Sequence, residues 1–306
     1  MAHIAKKLTD LVGNTPLLEF SNFNASKGLK AKVIGKLEYF NPAGSVKDRI
    51  ALAMIEDAEQ KGLLKPGGTI IEGTAGNTGL GIAFAALNKG YRVIFVVPTK
   101  FSEEKQTLMR ALGAEIINTP REEGMLGASA KAKELEESIS GAVSLKQFEN
   151  PANPLAHYET TGPEIYSALD GKIDYLVSGA GNGGTYSGIM RYLKEKNPKI
   201  NGILADPIGS TMGGGEHGDY NIEGIGNDFI ADTMDMSLVD KVIKITDDDA
   251  FGGSRELAKK EGIFAGSSSG GALAAAKKLI KSGATGNIVV ILPDRGDRYF
   301  SKNLYI

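Results

Sequence analysis

Short, continuously apolar runs rich in β-branched residues alternate with helical stretches along most of this chain. This alternation limits its fold more than any other feature. The runs are "KVIGKLE" (Lys32–Glu38), "RVIFVVP" (Arg92–Pro98), "AEIINT" (Ala114–Thr119), "IDYLVSG" (Ile173–Gly179), "GILAD" (Gly202–Asp206), "KVIKI" (Lys241–Ile245) and "NIVVIL" (Asn287–Leu292). Strands that are apolar on both faces must be covered on both faces, which points to parallel sheets flanked by helices. Ile50, Met54, Ile55 and Ala58 show the three- and four-residue spacing of one such helix. "GLGIAFAALNKGYRVIFVVPTK" reads as a helix, a glycine-containing stop and a strand, as a βαβ crossover requires.

The breakers cluster in "FENPANPLAHYETTGPEI" (Phe148–Ile165), which separates a first αβ series from a second one beginning near Ile173. The expected fold class is therefore α/β, with two open twisted α/β domains and a ligand in the cleft between them. Ligands of open α/β sheets sit at the carboxyl ends of strands, so glycine clusters at those ends are candidate site loops.

Composition removes several chemistries. The chain of 306 residues holds no cysteine, so disulfides, thiolate nucleophiles and zinc–thiolate sites are excluded. Its three histidines, His3, His157 and His217, are widely spaced and read as ordinary surface or hydrogen-bonding residues rather than metal ligands. Lys+Arg 35 against Asp+Glu 37 leaves a formal charge of −2, with no electrostatic footprint for nucleic acid. There is no apolar run of membrane-spanning length and no basic-then-apolar leader, so the expectation is a cytoplasmic protein with no membrane partner.

Three glycine clusters follow strands. "EGTAGNTG" (Glu72–Gly79) opens a helix, and its small residues let backbone N–H groups approach a carboxylate or phosphate, with Thr74, Asn77 and Thr78 adding side-chain partners. "SGAGNGGTYSG" (Ser178–Gly188) reads as a phosphate cup: Gly181, Gly183 and Gly184 permit positive φ, and Thr185 supplies a hydroxyl near the helix start. It carries no GxxxxGK[ST] lysine, which argues against a nucleotide-dependent kinase. "AGSSSGGALAAA" (Ala265–Ala276) is a third turn, suited equally to helix packing and to a ligand. Lys47, in "FNPAGSVKDRI", stands apart from the cup. A phosphate site separate from a helix-start lysine fits a lysine that forms an imine with a carbonyl cofactor.

Taken together, "LVGNTPLL", "KLEYFNPAGSVKDR", "EGTAGNTG", "QFENPANPLAHYETTGPEI", "GAGNGGT", "EGIGNDF", "GSSSGGALAAA" and "PDRGDRY" resemble, in order, the motifs of the cysteine synthase / cystathionine β-synthase family. These are fold-type II pyridoxal-phosphate enzymes, similar to the tryptophan synthase β chain. The resemblance covers essentially the whole chain, as a minimal cystathionine β-synthase-like catalytic unit. It implies a smaller mobile substrate domain at 35–150, a larger domain at 1–34 and 151–306 that binds the cofactor phosphate, and a homodimer.

The resemblance also implies residue roles. Lys47 would be the Schiff-base lysine and the carrier of the Cα proton. Asn77 would meet the cofactor's ring hydroxyl, and Gly181, Asn182, Gly183, Gly184 and Thr185 would hold the phosphate of pyridoxal 5′-phosphate. Thr74, Ala75, Thr78 and Gln147 would surround the substrate carboxylate. The implied reaction is β-replacement on L-cysteine- or L-serine-type substrates through an aminoacrylate, with sulfide, a thiol or water as the second partner.

Four departures from the family pattern matter. Ala75 stands where the family has serine, and Asn182 where it has threonine. Arg295 stands where a serine hydroxyl meets the pyridine nitrogen, so either Arg295 or a residue of the "GSSSG" turn such as Ser268 takes that role. Asp228, in "EGIGNDF", is acidic as in cystathionine β-synthases, whereas cysteine synthases carry a small residue there. Partly buried near Cβ, it would move a proton for hydroxide, water or a thiol, and so would be both catalytic and substrate-binding. The reading this favours is L-cysteine plus water giving L-serine plus hydrogen sulfide. The alternatives are cysteine synthesis from O-acetylserine and sulfide, and cystathionine formation. Outside the class stands a non-catalytic scaffold that binds a phosphate ligand.

Overall fold

The computed structural model describes residues 4–27, 30–74, 76–99 and 103–306. Ten strands are present among them: β1 (Leu17–Glu19), β2 (Ala31–Leu37), β3 (Thr69–Gly73), β4 (Arg92–Pro98), β5 (Glu115–Thr119), β6 (Ala142–Val143), β7 (Tyr175–Gly179), β8 (Asn201–Pro207), β9 (Lys241–Ile245) and β10 (Gly286–Leu292). Each of the seven apolar runs is a strand, and "GTII" before the first glycine cluster is β3. The chain divides into two compact units, Met1–Val12 with Lys47–Asn153, and Gly13–Val46 with Pro154–Ile306.

The larger unit holds a six-stranded sheet in the order β1-β2-β10-β7-β8-β9. All its pairings are parallel except β1 with β2. Side chains alternate across a strand, and in β10 both faces are apolar. Ile288, Val290 and Leu292 enter one core cluster, while Val289 and Ile291 enter another on the opposite face. This sheet is therefore covered on both sides, as its composition required. The bounds differ from the expected 1–34 and 35–150: Met1–Val12 falls with the smaller unit, and 35–46 with the larger, where β2 pairs in full register with β10 from Ala31↔Gly286 to Leu37↔Leu292.

The smaller unit holds a parallel sheet in the order β5-β4-β3-β6. Ile94 and Val96 of β4 pack with Ala128 and Ala132 of the helix Gly124–Ser138. The helix Lys47–Gln60 buries Ile50, Ala51, Met54, Ile55 and Ala58, a stripe at three- and four-residue spacing, and carries Asp48 in its first turn, where an acid complements the helix dipole. The helix Asn77–Ala86 is buried along almost its whole length, as its run of small and apolar residues allows.

Candidate active site

Within the smaller unit, two helix starts carry the candidate chemistry. Lys47 is the first residue of Lys47–Gln60 and is half-buried. Asn77 is the first residue of Asn77–Ala86, also half-buried. Gly81, one turn after Asn77, brings the two helices close: a Cβ built there would lie 2.9 Å from the Lys47 carbonyl oxygen. Only a residue without a side chain permits that approach.

Thr74, at the end of β3, is buried, and its N–H donates to the Val96 carbonyl at 3.1 Å. Thr78 and Gln147 are buried as well, and the Thr78 hydroxyl donates to Gln147 Oε1 at 2.7 Å. The structure thus unites Thr78 and Gln147, 69 residues apart in sequence. Ala75 lies outside the described residues.

In the larger unit, β7 ends at Gly179, and the helix Gly184–Lys196 starts five residues later with Gly183 as its cap at φ +85°. No acidic residue lies in the first turn of this helix, so nothing on it repels an anion at the positive end of the dipole. Asn182 Oδ1 accepts from the Gly184 N–H at 3.2 Å, and the Asn182 carbonyl accepts from the Thr233 hydroxyl. The Thr185 hydroxyl lies 3.1 Å from Nε2 of the fully buried His157, whose Nδ1 lies 2.8 Å from the Thr161 hydroxyl. His157 is thus a hydrogen-bonding residue, as one of its two sequence readings has it, but a buried one. The one local signal for it is the i, i+4 spacing of His157 and Thr161.

The "EGIGND" loop is docked on this cup. The Gly226 N–H donates to the Ala180 carbonyl at 2.8 Å, and Asn227 Nδ2 donates to the Gly181 carbonyl at 3.4 Å. Ser210, fully buried, binds Asn227 twice, accepting from its N–H at 2.9 Å and donating to its carbonyl at 3.0 Å. Asp228 follows directly. It is exposed rather than partly buried, and its carboxylate pairs with His217 Nδ1 at 2.9 Å. Nearby, burial first, then the charges of Asp228 and Asp206, push the Tyr220 hydroxyl up to about 12.

The two residues left open for the ring nitrogen differ sharply. Ser268 is buried in the first turn of the helix Ser267–Lys281. Arg295 is exposed, and its Nε donates to the Tyr39 carbonyl at 3.4 Å.

A family profile described as "pyridoxal-phosphate dependent enzyme" matches residues 8–294. The chain belongs to this family. An O-acetylserine dependent cystathionine β-synthase of Bacillus subtilis is 50% identical over 299 residues, 97% of each chain. A cysteine synthase of Staphylococcus aureus is 46% identical over 301 residues, 97% of this chain and 96% of its own. The crystal structure of a hydrogen sulfide-producing enzyme from Fusobacterium nucleatum superposes with a TM-score of 0.92 at 40% identity, covering 97% of this chain and all of that one.

The chain is thus a pyridoxal-phosphate-dependent β-replacement enzyme of the cysteine synthase / cystathionine β-synthase type. Its residues fit the cofactor. A glycine cap at positive φ, a helix start free of acid, and a hydroxyl backed by a buried imidazole are features that suit a phosphate dianion. A lysine at the start of a helix is a residue of the type that forms an imine with the cofactor's carbonyl.

Proposed function

We propose that this enzyme joins a thiol to the three-carbon unit of an activated serine, with O-acetyl-L-serine as donor and a homocysteine-class thiol as acceptor, giving a thioether amino acid and acetate. Pyridoxal phosphate, when bound, supplies an electron sink for the charge left at Cα. In this proposal Lys47 anchors the cofactor and moves the Cα proton, Asn77 orients the ring, and Gly181–Thr185 hold the phosphate. Thr74, Thr78 and Gln147 orient the substrate carboxylate, and Ser268 rather than the solvent-turned Arg295 meets the ring nitrogen.

The observation that carries this reading is the Asp228–His217 pair, set on a loop bonded to the cup. An alkyl thiol, with a pKa near 8.5, is mostly protonated at neutral pH and benefits from a base. Acetate leaves unprotonated, and sulfide needs no such help. A carboxylate–imidazole pair therefore earns its place only if a proton must be moved. The name of the Bacillus subtilis relative, an O-acetylserine dependent cystathionine β-synthase, supports this reading.

A second reading uses the same pair on water: L-cysteine plus water gives L-serine plus hydrogen sulfide. It was foremost from the sequence, and the hydrogen sulfide-producing enzyme of Fusobacterium nucleatum supports it.

The test offers the holoenzyme O-acetyl-L-serine with homocysteine, O-acetyl-L-serine with sulfide, and L-cysteine alone. Amino-acid products and sulfide are then measured. Asp228→Asn is expected to cut thiol- or water-linked turnover by on the order of 10²-fold, the low end for general acid–base catalysis. That loss should exceed the loss of sulfide-linked turnover at least tenfold. Equal losses in all three reactions would rule out the proton-moving role. The faster of the first and third reactions in the unmutated enzyme decides between the two readings.

A further inference from the structure

One fully enclosed carboxylate in the smaller unit has no part in the chemistry above. Glu72 lies in β3, directly before the Gly73–Thr74 step, and is 4% exposed. β6 pairs with β3 only at Thr69↔Ala142 and Ile70↔Val143. Beyond Val143 the backbone ladder stops, and the Glu72 side chain takes over the polar groups that follow. Its Oε2 accepts from the Ser144 hydroxyl at 3.1 Å, the Leu145 N–H at 3.1 Å and the Lys146 N–H at 3.3 Å. Its Oε1 accepts from the Gln147 N–H at 3.4 Å.

Three consecutive N–H groups converge on one anion only if the chain curls. Here Lys146 supplies the curl with φ +51°, a left-handed conformation that non-glycine residues adopt at a cost. All four partners are donors, which suits the ionised carboxylate. Burial pushes the carboxyl above its usual range, and the four hydrogen bonds offset only part of that rise. The product of the curl is a fixed Gln147. Its carbonyl accepts from Asn153 Nδ2 at 2.8 Å, and its side chain accepts from the Thr78 hydroxyl at 2.7 Å.

We infer that Glu72 is a positioning residue for recognition of the amino-acid substrate. Its carboxylate is the fixed anion around which residues 144–147 fold, and it thereby sets the Gln147–Thr78 pair. A single side chain ties the end of β3, next to Thr74, to the turn that delivers Gln147. The inference rests on the proposed role of Thr78 and Gln147 at the substrate carboxylate.

The experiment compares holoenzymes of the wild type, Glu72→Gln, Lys146→Gly and the double variant. Each is titrated with L-cysteine, L-serine and O-acetyl-L-serine while the visible absorbance of bound pyridoxal phosphate is followed, and KM and kcat are measured. Glutamine keeps the shape but removes the charge and turns an NH₂ toward backbone N–H groups. The expected result is a rise of roughly tenfold or more in KM and in the amino-acid concentration at half-maximal spectral change, as for a lost charge-assisted hydrogen bond. kcat should change far less, and the cofactor absorbance should persist. Glycine at 146 adopts φ +51° without strain, so the double variant should recover part of the affinity.

Unchanged KM in Glu72→Gln overturns the inference, however far the melting temperature falls. If that variant does not fold, Lys146→Val carries the test, because a β-branched residue resists this φ. The same rise in KM is then expected, and an unchanged KM again overturns it. A wild type that responds to none of the three amino acids removes the functional reading itself, and this inference with it.

Discussion

Replacing Lys47 with alanine is expected to lower β-replacement turnover by roughly 10³-fold or more while leaving the fold intact. The size follows from losing both functions proposed for Lys47, the covalent hold on the cofactor and a positioned proton carrier, the second alone worth about 10²–10⁴. The fold should survive because alanine is the strongest helix former and position 47 opens a helix whose apolar stripe begins at Ile50. The close approach to Gly81 uses the Lys47 backbone carbonyl, which alanine keeps. Product formation, the visible spectrum and far-UV circular dichroism together make the measurement. Lys47→Arg sharpens it: arginine keeps a positive charge but stays protonated and forms no imine. If Lys47 only supplied charge to a phosphate, arginine would retain substantial turnover. Retention of more than a few per cent in either variant would remove Lys47 from the chemistry.

The parts of the molecule that were legible in the sequence are those with a local signature. Eight strands were readable, seven because a run apolar on both faces has few other uses and β3 as the "GTII" before a glycine cluster. β1 and β6 were not, since three and two residues carry too little pattern, and β1 is an antiparallel edge in an otherwise parallel sheet. Lys47, Asn77 and the cup announce themselves through glycines and helix starts within a few residues. The membership of β2 could not be read locally, because its parallel partner β10 is some 250 residues away and a parallel register leaves no mark on either strand.

Burial of single polar groups was equally invisible. Glu72 and Asp228 are both acidic residues in glycine-rich motifs, yet one is enclosed by four donors and the other is turned to solvent beside His217. His157, which reads as an ordinary surface or hydrogen-bonding residue, is hydrogen-bonded and fully buried behind Thr185. In each case the deciding partner lies on another element, and only the tertiary fold brings it within reach.

The cup offers the second large effect, through Gly183→Ala. An alanine there meets two separate penalties. Its φ of +85° costs an L-residue about 1–2 kcal/mol. Its Cβ would also lie 2.3 Å from Met234 Cβ and 2.7 Å from Met234 Cα. The second contact is with backbone, so no rotation of the methionine relieves it. Met234 is also held in place: its N–H donates to the Ala231 carbonyl at 2.9 Å, its neighbour Thr233 binds the Asn182 carbonyl, and its sulfur accepts from the Ser187 hydroxyl at 3.6 Å.

Relief must therefore come from the cup itself, by moving the start of the helix Gly184–Lys196. Overpacking of this kind adds about 1–3 kcal/mol, so the denaturation free energy should fall by about 2–5 kcal/mol in all. Affinity for pyridoxal phosphate, titrated into the apoenzyme, should drop by roughly tenfold or more, because the N–H groups that would face the phosphate are displaced. Gly214→Ala separates the two causes. Gly214 has nearly the same φ, +83°, but nothing lies within 4 Å of its would-be Cβ. That variant should show the conformational cost alone, about 1–2 kcal/mol, with cofactor affinity unchanged. If Gly183→Ala matched it in both measurements, the turn at 181–185 would not be the phosphate site.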